Sequence, residues 1–480
     1  MSQQVFGMSG PNYTAVVLDL GRLLVNYTTK NTVGLSSSQI ASALDSPGWY
    51  DYERGRISEQ EAYDKVTQDS NIDLETWTQA LEQMRDGMKA NQSLISSIKE
   101  LKQIYPSVKV FCLSNIPGPE VELLEDEIDS WGIVDQFFAS SDLGERKPDL
   151  PIYREFLKQA RVSASSCIFV DDKIENVTAA QTLGFKAIVF KDNDSLVRIL
   201  HNSLGDPVSR AQSFFRQNAK KMFCTLSTGQ IQPDNYSQLV ILQNTGDSDL
   251  VVLENERYTW NYFQGKPTFA GTTYPDDSDT TSLAMTVLEG IPMADKVQAR
   301  DKIFSNLSPD GLPYCWFRKT RPRFCHCICA TVFRFFVINE WQDKLPGVYD
   351  FLCQLLETRA YLHGSRYYES PDWLPYILSD LCARRPSDPN LEKMRDLLVV
   401  CLQERMGCNE NILSAAMRVL SAQSMVLKND RDLGTVLEGQ QVDGGWELAW
   451  LWGYGSKPLK IGSRGVVTAM AMNAIRRAQV

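Results

Sequence analysis

The chain has 480 residues, 43% of them hydrophobic, which is too long for one ordinary core and enough for two domains of about 200 to 270 residues. Its net charge of −10, from 49 Lys and Arg against 59 Asp and Glu, argues against nucleic acid as a partner, because a phosphate-binding surface relies on clustered cations. No apolar run reaches the roughly 18 to 20 residues of a membrane span, and the start, MSQQVFGMSGPNYT, lacks a basic region followed by an apolar core, so the expectation is a soluble, cytosolic protein without stable membrane insertion that acts on a small molecule.

In chain order, the first strong element is VVLDLGRLLV, Val16 to Val25, a β-branched run that carries Asp19 into a Gly turn. A short apolar run of this kind reads as a buried parallel strand, and ligands of open α/β sheets bind beyond the carboxyl ends of such strands. VKVFCLSN brings Ser114 and Asn115 to a second strand end, SCIFVDDKIEN brings Asp171 and Asp172 to a third, and AIVF, from Ala187, is one more strand. GERKPDLPIYREFL offers Lys147 just before a helix. An Asp, a Ser, a Lys and an acidic pair at successive strand ends make a phosphoryl-transfer set. Asp19 is the candidate nucleophile, Ser114 and Lys147 hold phosphoryl oxygens with Asn115 beside them, and Asp19 with Asp171 or Asp172 holds Mg²⁺.

Taken together and in this order, these residues resemble the haloacid dehalogenase-like phosphohydrolases over about residues 12 to 205. The resemblance implies a Rossmannoid domain, here 1–210, with a helical cap at about 30–100, and DDKIE, Asp171 to Glu175, matches the family's acidic metal motif. One position departs from the pattern. The family usually carries a second Asp two residues after the nucleophile, as general acid and base, and this chain has Gly21 there. Cleavage of a diphosphate, whose leaving group needs little protonation, is expected to survive that change better than release of an alkoxide.

From about Ala211 the pattern turns to helical apolar periodicity, strand signals nearly vanish, and 211–480 reads as an all-α domain around a central cavity. PVSRAQSFFRQNAKKMF is a connecting helix, and further helices are expected near Ser282–Leu288, Cys327–Trp341, Val348–Thr358, Asp372–Cys382, Asn390–Arg405, Glu410–Ser424 and Ser463–Arg477. Eleven cysteines, odd in number and scattered, fit free thiols, and the cluster CHCIC at Cys325 to Cys329 lacks a second ligand pair at zinc spacing, so it reads as helix packing.

YPDDSDTTSLAM, Tyr274 to Met285, sets three carboxylates within four positions immediately before an apolar helix. Two readings apply. Asp and Thr at that place make an N-cap; alternatively, mutual repulsion raises the proton affinity of the least solvated carboxyl, and Asp279 becomes a Brønsted acid beside a charged Asp277. DSDTT, Asp277 to Thr281, resembles the acid motif of class II terpene cyclases with Thr in place of the last Asp, and QVDGGWELAWLWGYG resembles a stacking element of cyclase α-barrels. A dehalogenase-like half joined to one terpene-cyclase β domain is similar to the bifunctional drimane-type sesquiterpene synthases.

That resemblance implies farnesyl diphosphate as substrate, Asp279 as the proton donor to its distal alkene, Asp277 holding Asp279 in position and Thr280 donating a hydrogen bond to it. Cations formed on the way are sheltered by aromatic faces, for which Trp260, Trp316, Phe317, Tyr367, Tyr368, Trp373, Trp446 and Trp450 are candidates. Arg318, Lys319, Arg321 and Arg323 of RKTRPR are candidates to grip the diphosphate, with Mg²⁺. The first half then dephosphorylates the cyclised diphosphate. The alternatives are release of the diphosphate by a chain whose first half is inactive, and a phosphohydrolase whose helical half only binds.

Overall fold

A computed structural model describes residues 13–28, 30, 33–255, 257–267, 269, 274–318, 320–454 and 458–479. The chain divides into two compact units, Met1–Gly205 and Asp206–Val480.

The first unit is built on five parallel strands, β1 (Ala15–Leu18), β2 (Lys109–Ser114), β3 (Gln136–Ala139), β4 (Cys167–Asp171) and β5 (Lys186–Val189), in the order β3-β2-β1-β4-β5. Its strands alternate strictly between two cores. Val16, Leu18, Val110, Cys112, Ile168 and Val170 face one side, while Ala15, Val17, Phe111, Leu113, Cys167 and Phe169 face the other. Both faces are covered, which is why these strands read as continuous apolar runs instead of alternating ones. In register, Leu18 pairs with Cys112 on one side and Val170 on the other. Asp19 and Asp171, the next residues on β1 and β4, and Ser114, two residues beyond Cys112 on β2, therefore emerge together at the carboxyl edge.

Between β1 and β2 the helices Ser37–Leu44, Pro47–Glu53, Glu59–Ser70 and Leu74–Asp86 form a small body with its own core around Trp49, Tyr52 and Trp77. The next helix, Gln92–Ile104, falls within the cap expected from the sequence, but it packs Leu94, Ile98 and Leu101 onto the sheet. The cap thus ends near Asp86.

In the second unit six helices form a closed inner ring: α1 (Asn235–Thr245), α2 (Ser278–Val287), α3 (His326–Ile338), α4 (Trp373–Arg384), α5 (Ile412–Ser424) and α6 (Arg464–Ala478). Each packs on the next and α6 returns to α1. Helices Met293–Phe304, Pro346–Glu357, Glu392–Arg405, Asp430–Glu438 and Pro207–Asn218 pack outside that ring. Burial explains the division. Every residue of Cys327–Val337 in α3 and of Leu413–Ala422 in α5 is buried, whereas Pro346–Glu357 buries Val348, Leu352, Cys353 and Leu356 along one stripe. Two buried arginines of the ring are paired, as burial demands: Arg418 of α5 lies 2.8 Å from Asp372 and 2.6 Å from Asp432, and Arg334 of α3 lies 2.8 Å from Asp380.

The second unit is not purely helical. Trp450–Gly453, Lys460–Gly462, Cys224–Leu226 and Ile231–Gln232 form an antiparallel sheet in that order. Strands of two to four residues are shorter than any periodic signal, so the sequence reading had loops there. Among the described residues no helix is long and apolar enough to cross a membrane.

Candidate active sites

In the second unit the segment Asp276–Phe317 is knitted by backbone pairing. Asp277 N–H donates to Trp260 C=O at 3.0 Å, Ser278 N–H to Cys315 C=O at 2.8 Å and Phe317 N–H to Asp276 C=O at 3.1 Å. This pins the entry to α2. Asp277 is its N-cap and accepts from Thr280 N–H at 2.6 Å and Thr280 Oγ1–H at 3.0 Å. The capping reading therefore holds for Asp277, and Thr280 serves Asp277, not Asp279 as expected from the sequence. Asp279, two residues on, is buried in the first turn and lines a cavity.

The groups holding Asp279 come from elsewhere in the unit, Tyr368 from a loop bridged to Trp452 and Tyr236 from α1. Tyr368 donates its phenol proton to Asp279 Oδ2, and the Tyr368 and Tyr236 oxygens lie 2.7 Å apart. A phenol has one proton, so with Tyr368 committed to the carboxylate, Tyr236 donates to Tyr368. Oδ1 of Asp279 has no hydrogen-bond partner among the described residues. Tyr368 is fixed by stacking on Trp373, ring centroids 5.2 Å apart and 14° from parallel.

Burial raises the proton affinity of both carboxyls. At Asp277 repulsion from Asp279 adds to the rise, opposed by the two Thr280 donors. At Asp279 the hydroxyls of Tyr368, Thr331 and Tyr236 and the charge of Arg334 oppose it, leaving a pKa of about 6. Two buried carboxyls that repel each other do not ionise together, so one proton is retained until the pH rises past about 6. Two donors and a helix N-terminus favour the anion at Asp277, so the proton belongs on Asp279, which has a free oxygen to carry it.

The cavity holds about 910 Å³ of space free of protein atoms, part of it open to solvent. Of the sequence candidates, Trp316, Tyr367, Tyr368, Arg321 and Arg323 line it. Tyr367 meets Trp316 edge-on at 5.5 Å, and the Arg321 guanidinium lies 5.7 Å from the Trp316 ring. Arg318 lines a separate groove with Trp260 and Phe317. Lys319 lies outside the described residues.

Two expected lining residues are structural. Trp373 is buried behind Tyr368 and does not reach the cavity. Trp446 is fully buried and its indole N–H donates to Val436 C=O at 2.7 Å. The glycines before it permit close packing: a Cβ on Gly444 would stand 2.3 Å from the Arg210 carbonyl oxygen. The same stretch supplies the cavity a few residues later, through Trp452 and Tyr454, and Tyr262, Phe263 and Tyr274 complete its aromatic wall.

The second cavity, in the first unit, lies over the carboxyl edge of the sheet and is lined by Asp19, Gly21, Ser114, Asn115, Lys147 and Asp172, with Leu44, Trp49, Met84, Met88 and Leu124 on the cap side and along its rim. Lys147 Nζ is fully buried and donates to Asp19 Oδ1, Asp171 Oδ2 and Leu113 C=O, each at 2.7 Å. Its two anionic partners outweigh desolvation and hold its pKa up. Burial lifts Asp19 to about 7 despite Lys147, and burial with the neighbouring Asp171 charge also raises Asp172.

Carboxylate oxygens of Asp19, Asp171 and Asp172 lie within 4.8 Å of one another, the one such cluster among the described residues. Asp171 has little left to offer a ligand. Its Oδ1 accepts from Lys173 N–H and the Asn176 amide, both at 2.9 Å, and its Oδ2 takes Lys147. Glu175 is exposed in the first turn of the following helix and stands outside the cluster, contrary to the sequence expectation. Asn115 spends both amide ends on the Lys147 backbone, at 2.8 Å each, and so fixes that loop.

Residues 208–339 match the family model described as the sesquiterpene cyclase astC-like C-terminal domain. The sesquiterpene phosphatase astK of Aspergillus oryzae is 30% identical over 181 residues, 38% of this chain and 91% of that protein. The type II terpene cyclase MstE from Scytonema is similar in structure at 12% identity and a TM-score of 0.42, covering 57% of this chain and 98% of that one. Drimenol cyclase drtB of Aspergillus calidoustus is 32% identical over 463 residues, 96% of this chain and 87% of that protein. Aligned along nearly its whole length at that identity, the chain belongs to the drimenol cyclase drtB family.

Proposed function

We propose that the chain is a bifunctional sesquiterpene synthase: the second unit cyclises farnesyl diphosphate to a bicyclic drimane-type diphosphate, and the first unit then removes phosphate. The observation that carries the first activity is the pair Asp277 and Asp279, buried at an aromatic-walled cavity with Oδ1 of Asp279 unpartnered. A carboxylic acid whose free oxygen meets no protein acceptor can pass its proton to an alkene carbon. Tyr368 stabilises the carboxylate left behind, which strengthens the acid. Two ring closures follow, and the cationic carbons pass faces such as Trp316, Tyr367 and Trp452, each worth roughly 0.5 to 2 kcal/mol when well placed. Arg321 and Arg323, on the same cavity, suit the diphosphate. Loss of a proton ends the sequence. The names of the two curated relatives, a drimenol cyclase and a sesquiterpene phosphatase, support this pairing of activities.

For the first unit, Asp19 is the nucleophile on phosphorus, Ser114 and Lys147 hold phosphoryl oxygens, and the apolar side chains Trp49, Met84 and Met88 suit a terpenyl tail. The donor set, all carboxylate oxygen, fits Mg²⁺. Asp19 and Asp172 would hold that ion, which supplies charge neutralisation at the phosphoryl group. Asp171 keeps Lys147 charged and in place. The reading is tested by incubating the purified chain with farnesyl diphosphate and Mg²⁺ and identifying products with and without added phosphatase. Bicyclic drimane alcohols or phosphates with released phosphate are expected; farnesol as the sole product would refute the cyclase.

Tyr368→Phe separates acidity from shape. The protonated form of Asp279 is the active one, so kcat/KM for cyclisation in the parent is expected to fall as pH rises above about 6. Without the phenol the carboxyl holds its proton more tightly. The alkaline limb then moves to higher pH, while kcat drops about 10- to 100-fold, the worth of a hydrogen bond to a charged group. A loss of activity with the limb unmoved would assign Tyr368 to packing alone.

A further inference from the structure

Gly21 stands two residues beyond Asp19, and the space beside it is filled. Between them the chain makes a tight reversal: Leu24 and Val25 N–H donate to Leu20 C=O at 3.0 and 2.9 Å, Arg22 N–H to Val25 C=O at 2.7 Å, and Arg22 takes a left-handed φ of 59°. Val25–Asn26 then pairs with Lys89–Ala90. The reversal lays the Tyr27 ring over Gly21. A Cβ built on Gly21 would lie 3.3 Å from Tyr27 Cε1 and 4.0 Å from its hydroxyl oxygen. Tyr27 lines the same cavity as Asp19, Lys147 and Asp172, and its hydroxyl has no hydrogen-bond partner among the described residues.

Three titratable side chains at that cavity are committed to partners, while Asp45 accepts from the Tyr50 hydroxyl at 3.2 Å and Lys173 is exposed. Glu53 is paired with Arg146 at 2.7 Å, Glu120 with Arg85, and Lys147 with both aspartates. We infer that the Tyr27 hydroxyl is the proton donor to the leaving oxygen, occupying the place that a side chain at position 21 would otherwise take. This rests on the phosphatase reading of the cavity given above. In the first step an Asp19 oxygen bonds to phosphorus, the bond from phosphorus to the ester oxygen breaks, and that oxygen takes the Tyr27 proton. In the second, water attacks the aspartyl phosphate, the bond from phosphorus to Asp19 breaks, and the proton lost by water returns to the Tyr27 oxygen. Alcohol and phosphate are the sum.

A donor to the leaving group matters in proportion to how poorly that group leaves. With the full-length chain in excess and Mg²⁺ present, single-turnover cleavage is measured for decyl phosphate, an alkoxide leaving group, and for p-nitrophenyl phosphate, a stabilised phenolate. Tyr27→Phe is expected to slow decanol release about 100-fold and p-nitrophenolate release by no more than about threefold. Tyr27→Ala combined with Gly21→Asp, which makes room for a carboxyl, is expected to recover decanol release. Equal slowing of both substrates, or of neither, overturns the assignment of Tyr27. Asp19→Asn distinguishes the failures: if it leaves both rates intact, the phosphatase reading itself has failed.

Discussion

Asp279→Asn is expected to lower formation of bicyclic product from farnesyl diphosphate by at least about 10³-fold, while leaving unchanged the first unit's release of phosphate from a supplied alkyl phosphate such as decyl phosphate. The reason is specific to one oxygen. Tyr368 occupies Oδ2 and no described residue occupies Oδ1, so Asp279 is the group on this cavity with a carboxyl proton to give. Asn keeps the volume and still accepts from Tyr368, but its amide protons are far too weakly acidic for an alkene. Stability is expected to change by no more than about 1 kcal/mol, because the substitution removes a buried ionisable group that repels Asp277 and leaves the α2 cap intact. Product analysis by gas chromatography, beside a thermal melt, reads both. Parental yields of bicyclic product from the Asn variant would move the acid elsewhere in the cavity.

How much of this was legible in the sequence depended on the range of the interaction. The strand ends in the first unit announced themselves because β-branched runs and the polar residues that stop them are local: Asp19, Ser114 and Asp171 meet at one edge solely because β2, β1 and β4 are neighbours in register. Asp277 was legible as a cap from its place before an apolar helix. What was not legible was which side chain serves which. Thr280 was paired with the wrong carboxyl, since only the helix geometry sets its hydroxyl against Asp277. Trp446 and Trp373 carried the composition of a cavity wall but face the packing behind it. The real wall draws on Trp452 and Tyr454, placed by a strand too short to have a period, and on Tyr262, placed by the fold of a loop. Tyr27 had no signal at all beyond the missing side chain at Gly21, because what makes it functional is a reversal of the chain held by backbone hydrogen bonds.

Asp19→Asn is expected to abolish phosphate release from the cyclised product, by at least about 10⁴-fold, because it removes the atom that bonds to phosphorus and with it the covalent path. The yield of bicyclic skeleton should stay at the parental level, now recovered as the diphosphate and converted to alcohol only when an external phosphatase is added. Loss through unfolding is not the expected cause. Burial already raises Asp19 to about 7, so the fold gains little from its charge, and Asn can still accept from Lys147 while Asp171 keeps that cation paired. The comparison with Lys147→Ala makes the point sharper. That change leaves Asp19 and Asp171 facing each other without a cation, so it is expected to cost about 3 to 5 kcal/mol of stability as well as activity. A chain that loses phosphate release in Asp19→Asn with an unchanged melt, and loses both in Lys147→Ala, has Asp19 as nucleophile and Lys147 as the charge that holds the strand ends together. Phosphate release that persists in Asp19→Asn would mean the cavity over the sheet edge does not do this chemistry through a covalent intermediate.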